Sequence, residues 1–190
     1  MKQKVNDNGI FTNINYAGQK ITDTEFDSCT FQHCDFSNSV LSENDFINCR
    51  FENCNFALTK LSGSGLKDVH FMDCKMIGIN FDHCSDFLFA ASFEKCILDY
   101  SSFAGKKMKR AKFMSCSLKE VDFTRVDLSM AVFGKCDLSR AVFQSSNLEK
   151  ADFRSAAAYS IDPELNKLKK AKFSISGVPG LLEKYNIDIE

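Results

Sequence analysis

Seventeen of the nineteen phenylalanines in this chain fall on a five-residue grid. All nine cysteines sit two residues before a grid position, counting for Cys84 the position 86 at which the first run would have continued. The first run has a large residue at every fifth position from Phe11 through Tyr16, Ile21, Phe26, Phe31 and Phe36 to Phe81. The next centre is read seven residues on, at Leu88, and a second run goes from Phe93 to Phe153. Phe87 and Phe89, the two phenylalanines off the grid, lie at this phase change.

A period of five excludes the ordinary elements. On an α-helix five residues advance about 500°, so the large side chains would spiral and form no stripe. On a strand an odd step would put successive phenylalanines on opposite faces. The remaining solution is a chain that turns at every repeat, so that each centre points inward again. Cys34, Cys54 and Cys74 are twenty residues apart, as are Cys96, Cys116 and Cys136. Four pentapeptides therefore make one coil with four faces. Same-face residues then stack at about 4.8 Å, and about eight coils make a rod on the order of 40 Å long.

Two positions before most centres stands a small or slim residue, such as Thr24, Cys29, Cys34, Ser39, Ala111, Cys116, Ala131 or Ser146. Both positions must point inward, the large residue filling the axis and the small one fitting beside it. Residues between them are polar or charged, as an outer wall requires. Units such as Ala131-Val132-Phe133-Gly134-Lys135, Cys136-Asp137-Leu138-Ser139-Arg140 and Ala151-Asp152-Phe153-Arg154-Ser155 resemble the A-(D/N)-(L/F)-X-X pattern of pentapeptide repeat proteins. The resemblance covers roughly residues 11–155. It implies an all-β fold, a right-handed quadrilateral β-helix, here with short C-terminal helices.

The organisation expected is a β-helix over 1–155, with its phase change at 82–88, and a tail over 156–190. The tail comprises a last degenerate coil, short helices and a capping or dimerisation segment. Asp162-Pro163-Glu164 reads as the start of a short helix over 163–169, Asp162 as N-cap and Pro163 in the first position. A second helix is expected over 179–185, started by Pro179. A solenoid needs its open ends covered. Leu181, Leu182, Tyr185, Ile187 and Ile189 exceed what one cap requires, and a two-fold contact between C-terminal ends is expected to use them. The tail is similar to the C-terminal region of the quinolone-resistance (Qnr) and microcin-immunity branch of the family, which implies a homodimer through the terminal helix.

The cysteines invite a metal or redox reading, but they lack the short Cys-x2–4-Cys ligand spacing of zinc sites. They occupy the position that Ala, Ser and Thr fill elsewhere, where a free cysteine is a small buried hydrophobe. No metal and no cofactor are expected. His33 and His83 precede cysteines that point in, so both should point out. No nucleophile–base set, Gly-rich phosphate loop or paired carboxylate stands out from the repeat, and the chain is not read as an enzyme. Met1 is followed by Lys2, Lys4 and polar residues. No signal peptide, transmembrane segment or membrane partner is expected, and free thiols suit the cytoplasm.

Charge divides the chain. Residues 1–100 carry 14 acids and 8 bases, and residues 101–190 carry 11 acids and 16 bases. The acidic excess concentrates in 21–52 and the basic excess in 106–112 and 167–172. Lys107 and Lys112 precede centres on different faces, and the aromatic residues point inward. Direct nucleic-acid binding is therefore not expected. The resemblance implies a non-catalytic interaction protein: a rod that mimics duplex DNA and protects a type II topoisomerase, DNA gyrase or topoisomerase IV, against quinolones or peptide toxins. The residues assigned to that contact are Glu25, Asp27, Asp35, Glu43, Asp45 and Glu52. The alternative is a scaffolding solenoid that binds another protein along a flat face.

Overall fold

The computed structural model describes residues 3–189. Parallel strands stack coil upon coil into a right-handed quadrilateral β-helix. One face carries the sheet of β1 (Gln3–Asp7), β3 (Thr24–Asp27), β5 (Asp45–Ile47) and β7 (Gly65–Lys67), paired in that order. The next face carries β2 (Ile10–Thr12), β4 (Thr30–Gln32), β6 (Arg50–Glu52), β8 (Val69–Met72), β9 (Ala91–Glu94), β10 (Lys112–Met114) and β11 (Val132–Gly134). The other two faces are built from isolated parallel bridges, such as Asp35 to Asn55 and Ser102 to Asp122. Each face is named below by one of its centres. In chain order they are the Phe46, Phe31, Phe56 and Phe103 faces.

The grid becomes the core. On the Phe31 face the rings of Phe11, Phe31, Phe51, Phe71, Phe93, Phe113, Phe133, Phe153 and Phe173 stack nearly parallel, with neighbouring centroids 4.7–5.4 Å apart. All but Phe173, which meets Tyr159 at a tilt, also meet rings of the adjoining faces edge-on, as Phe113 does with Phe103 at 5.8 Å and Phe123 at 5.9 Å. Both geometries are favourable for the aromatic quadrupole. The chain can turn at every repeat because the second residue after most centres takes positive φ. Asn38, Asn48, Asn53, Leu58, Arg125 and Lys150 do so at +53° to +59°. That conformation is uncommon outside glycine. Here the coil geometry imposes it, and each such amide is satisfied by a carbonyl of the next coil, as Asn53 N–H is by Met72 O at 3.0 Å.

Two expectations fail and a third is met in part. Leu88 is not a centre: it is 64% exposed, and Phe89 is the buried residue. The step is therefore eight residues to Phe89, then four to Phe93, and residues 85–88 bulge from the Phe46 face. The helix over 163–169 does not form. Asp162 instead closes a turn by accepting from Glu164 N–H at 2.8 Å. Asn166 then enters the small slot, donating its amide to Phe143 O and Asp162 O while accepting from Ser146 N–H. A ladder that satisfies the backbone outcompetes a one-turn helical preference. The helix expected to start at Pro179 and run to 185 forms, but as two short 3-10 helices, Ile175–Leu181 and Glu183–Tyr185, with Pro179 inside the first and not at its start. Gly180 must pass close over the last coil: a Cβ there would lie 2.2 Å from Tyr159 O. Its carbonyl accepts from Ile161 N–H at 2.9 Å.

Candidate protein-binding surfaces

The interior of the coils has a structural chemistry of its own. The small slot is a donor position. Cys54, Cys74, Cys116 and Cys136 direct their thiols at Phe31 O, Phe51 O, Phe93 O and Phe113 O, with sulfur–oxygen distances of 3.3–3.5 Å. Ser64, Thr59 and Ser146 direct hydroxyls in the same way at 2.5–2.6 Å. Packing alone does not account for these Cys, Ser and Thr residues, each of which returns a hydrogen bond to the preceding coil; Ser39 is an exception, its buried hydroxyl without a partner. Burial pushes the Cys49 and Cys84 thiols up to about 12, which keeps them protonated donors rather than nucleophiles. Among the described residues no group of three His, Cys, Asp or Glu side chains is placed to hold a metal ion. No helix among them is long and apolar enough to cross a membrane.

The residues assigned to a partner contact all lie on the outer wall. Glu25 and Asp45 are register partners of β3 and β5 and stack on the Phe46 face, with Asp27 at the end of β3. Lys67 of β7 reaches Asp45 at 3.0 Å. Glu43 stands at the corner that precedes this face, exposed and at positive φ. The remaining two assigned acids do not join them. Glu52 lies on the neighbouring Phe31 face, where Gln32 donates to it at 2.9 Å. Asp35 lies on the opposite, Phe56 face. Its carboxyl is held below the usual range by the backbone N–H of Ser37, with help from the Ser37 hydroxyl and Asn55. Four of the six residues thus form one acidic surface, and two face elsewhere. His33 and His83 point outward as expected.

The basic runs gain a coherence that the linear sequence hides. Lys107, Asp127, Asn147 and Lys167 are successive bridge partners, so the runs at 106–112 and 167–172 return to the same Phe46 face three coils apart. Lys112 and Lys172 stand on the adjoining Phe31 face. Lys106 behaves differently from its neighbours. It occupies the small slot before Met108 and is 2% exposed. Its ammonium donates to Cys84 O and to Asp86 Oδ1, both at 2.6 Å, with the Phe89 ring 5.4 Å away. The extra residues of the bulge disrupt the regular stack at this level, and the long lysine stem runs in to meet them. Lys106 is the one base of its run that stands two residues before a centre, a signal in the sequence that sequence reasoning missed. Above it, Phe87 and Leu88 project from the bulge, 67% and 64% exposed.

The tail folds back on the last coil. Leu181 packs against the core, and Leu182 is half-buried. Lys184 clasps Asp162 at 2.8 Å and Glu164 at 2.7 Å, and Tyr185 O–H donates to Glu164 at 3.1 Å. Tyr185, Ile187 and Ile189 stay exposed. The five residues assigned to dimerisation therefore divide between a cap and an outward apolar edge.

A trypsin-treated form of QnrB1, a plasmid-mediated fluoroquinolone resistance protein, is similar in structure with a TM-score of 0.67 at 18% identity. That similarity covers 96% of this chain and 100% of the other. HetL, a pentapeptide repeat protein involved in heterocyst differentiation regulation in the cyanobacterium Nostoc sp. strain PCC 7120, matches with a TM-score of 0.62 at 16% identity. It spans 88% of this chain and 85% of its own. At these identities the likeness concerns the fold. No curated protein matches the chain in sequence. The family model for the pentapeptide repeat region matches residues 24–103 and 106–179. With that match, the stacked grid and the four-faced coil in place, the chain belongs to the pentapeptide repeat family.

Proposed function

We propose that this chain is a non-catalytic interaction protein that engages a type II topoisomerase through the acidic N-terminal half of its Phe46 face. The observation that carries the reading is the stacking of Glu25 and Asp45 at one-rung spacing, with Asp27 and Glu43 beside them, on a straight rod of this fold. Regularly spaced carboxylates on a rod offer a DNA-binding saddle the charge it accepts from duplex phosphates. The fold likeness to a fluoroquinolone resistance protein supports the same direction. A gyrase supercoiling assay with and without a quinolone tests it. The protein should restore supercoiling under drug or inhibit it without drug at micromolar concentrations, and Glu25→Lys with Asp45→Lys should lose the effect. No effect in either arm removes the topoisomerase.

A scaffolding role is the second reading. Asp35 and Glu52 on other faces, and the basic C-terminal half, depart from a uniform mimic and favour a protein partner of mixed charge. The exposed edge of Tyr185, Ile187 and Ile189 supports a homodimer between C-terminal ends. That contact is apolar and persists at high salt, so Ile187→Asp should sediment as a monomer in roughly 0.5 M salt, where the Debye length is about 4 Å. An unchanged mass there argues against the tail contact.

A further inference from the structure

The Phe46 face is self-complementary. Its acidic half holds Asp7, Asp23, Glu25, Asp27, Glu43, Asp45 and Asp68 on the face and its corners, against Lys4 of β1 and Lys67. Its basic half holds Lys107, Lys109 and Arg110, then Lys167, Lys169 and Lys170, against Asp127 and Glu149. Between the halves the bulge raises Phe87 and Leu88 as the exposed apolar knob of this face. Immediately beside the knob is a groove of about 370 Å³, with apolar Phe89, Ala90, Met108 and Ala111 in its lining and a polar rim that runs from Asp68 and His70 to Lys109, Arg110 and Lys112.

We propose that a second copy of this chain docks antiparallel on this face, about a two-fold axis between the Phe89 and Met108 levels, each copy's Phe87 entering the other's groove. The centres of the face run Phe26, Phe46, Leu66, Phe89, Met108, Leu128, Leu148 and Leu168. A half-turn sets the first level against the partner's last. Glu25 and Asp27 then oppose Lys167 and Lys169. Lys67, an exception in the acidic half, falls opposite Asp127, an exception in the basic half. Asp86 falls opposite Lys107 and Lys109. The level of Asp45 meets Glu149 and Lys150 together and contributes no net attraction. Isologous contacts require a patch complementary to itself under two-fold rotation, with knob and groove side by side. Opposed potentials supply register, and the central desolvated aromatic supplies affinity. This contact is distinct from the tail. It covers Glu25 and Asp45, so self-association competes with the topoisomerase contact proposed above. Its test uses the purified chain alone and succeeds or fails independently of that reading.

The test is sedimentation equilibrium of the full chain carrying Ile187→Asp, which removes the tail edge, at low and high salt. The mass should double at low salt and the association should weaken as salt rises, because the charged pairs are exposed and screened while the apolar contact is not. Glu25→Lys with Asp27→Lys should weaken association at least tenfold, as should Lys167→Glu with Lys169→Glu. Mixing these two variants should restore it, since the two reversed ends then meet each other with opposite signs and the two unreversed ends do the same. Phe87→Asp, on an exposed bulge whose loss leaves the core intact, should also give a monomer. A parent that stays monomeric at low salt overturns the proposal. So does a mixture that associates no better than its components, or a Phe87→Asp variant that still dimerises.

Discussion

Phe113→Ala tests the stacked column at its centre. The ring is fully buried, between Phe93 at 5.2 Å and Phe133 at 5.1 Å in parallel stacking. Phe103 and Phe123 meet it edge-on at 5.8 Å and 5.9 Å. Truncation removes the apolar transfer free energy of a whole ring and leaves a cavity that flanking coils cannot close, because each is pinned by its own ladder. The cost is about 3–5 kcal/mol. Phe11 supplies the control. It is only half-buried and has one stacked neighbour, Phe31 at 4.7 Å, and one edge contact, Phe26 at 6.3 Å. Phe11→Ala should cost about 1–2 kcal/mol, in proportion to the smaller area it buries. Urea unfolding followed by far-ultraviolet circular dichroism measures both. A loss under about 1 kcal/mol at Phe113 contradicts the tightly packed core. Equal losses at both sites contradict the nearest-neighbour account of a solenoid.

Three further outcomes follow from particular groups. Lys106→Met keeps the stem but strands Cys84 O in the core, and should cost about 1–3 kcal/mol in the same unfolding assay; an unchanged midpoint would show the slot tolerates an unpaired carbonyl. Cys49 and Cys84 titrate near 12 when folded against 9.0 ordinarily. Their contribution is intact below about pH 9 and is lost as pH rises from there towards 12, at about 1.4 kcal/mol per pH unit for each thiol. Cys49→Ala should flatten the alkaline fall of the melting temperature, and an unaltered slope would refute the assignment. At the tail, the Lys184 ammonium holds the Asp162 and Glu164 carboxyls below their usual range. The clasp is therefore present above the ordinary carboxylate range and is lost as pH falls through the lowered folded values. Hydrogen-exchange protection over 175–185 should drop in acid before that of the coils does; simultaneous loss would mean the tail is no separate unit.

Most of the fold was legible because every fifth residue repeats one physical requirement, an inward bulk beside an inward small group. The errors lie where that repetition stops. At the break, the five-residue spacing back from Phe93 selects Leu88, and only the three-dimensional bulge turns Phe89 inward instead. At Asp162-Pro163-Glu164 the local helix signals were genuine, yet Asn166 and the ladder beneath it supplied better partners than one helical turn. The surface was less legible than the core. Asp35 and Glu52 are near Glu25 and Asp45 in sequence but lie on other faces. Lys107 and Lys167 are sixty residues apart yet share one face. Lys106 showed most clearly what composition conceals: within a run of bases, the one residue at the slot position turns inward.

The acidic half of the Phe46 face as a stand-in for duplex DNA is the claim on which the functional account rests. Its direct measurement is binding of the fluorescently labelled chain to the DNA-binding core of gyrase, titrated with unlabelled duplex. The account predicts micromolar binding that duplex DNA displaces competitively, that salt weakens, and that Glu25→Lys with Asp45→Lys abolishes. Binding indifferent to saturating duplex, or no binding at all, contradicts it.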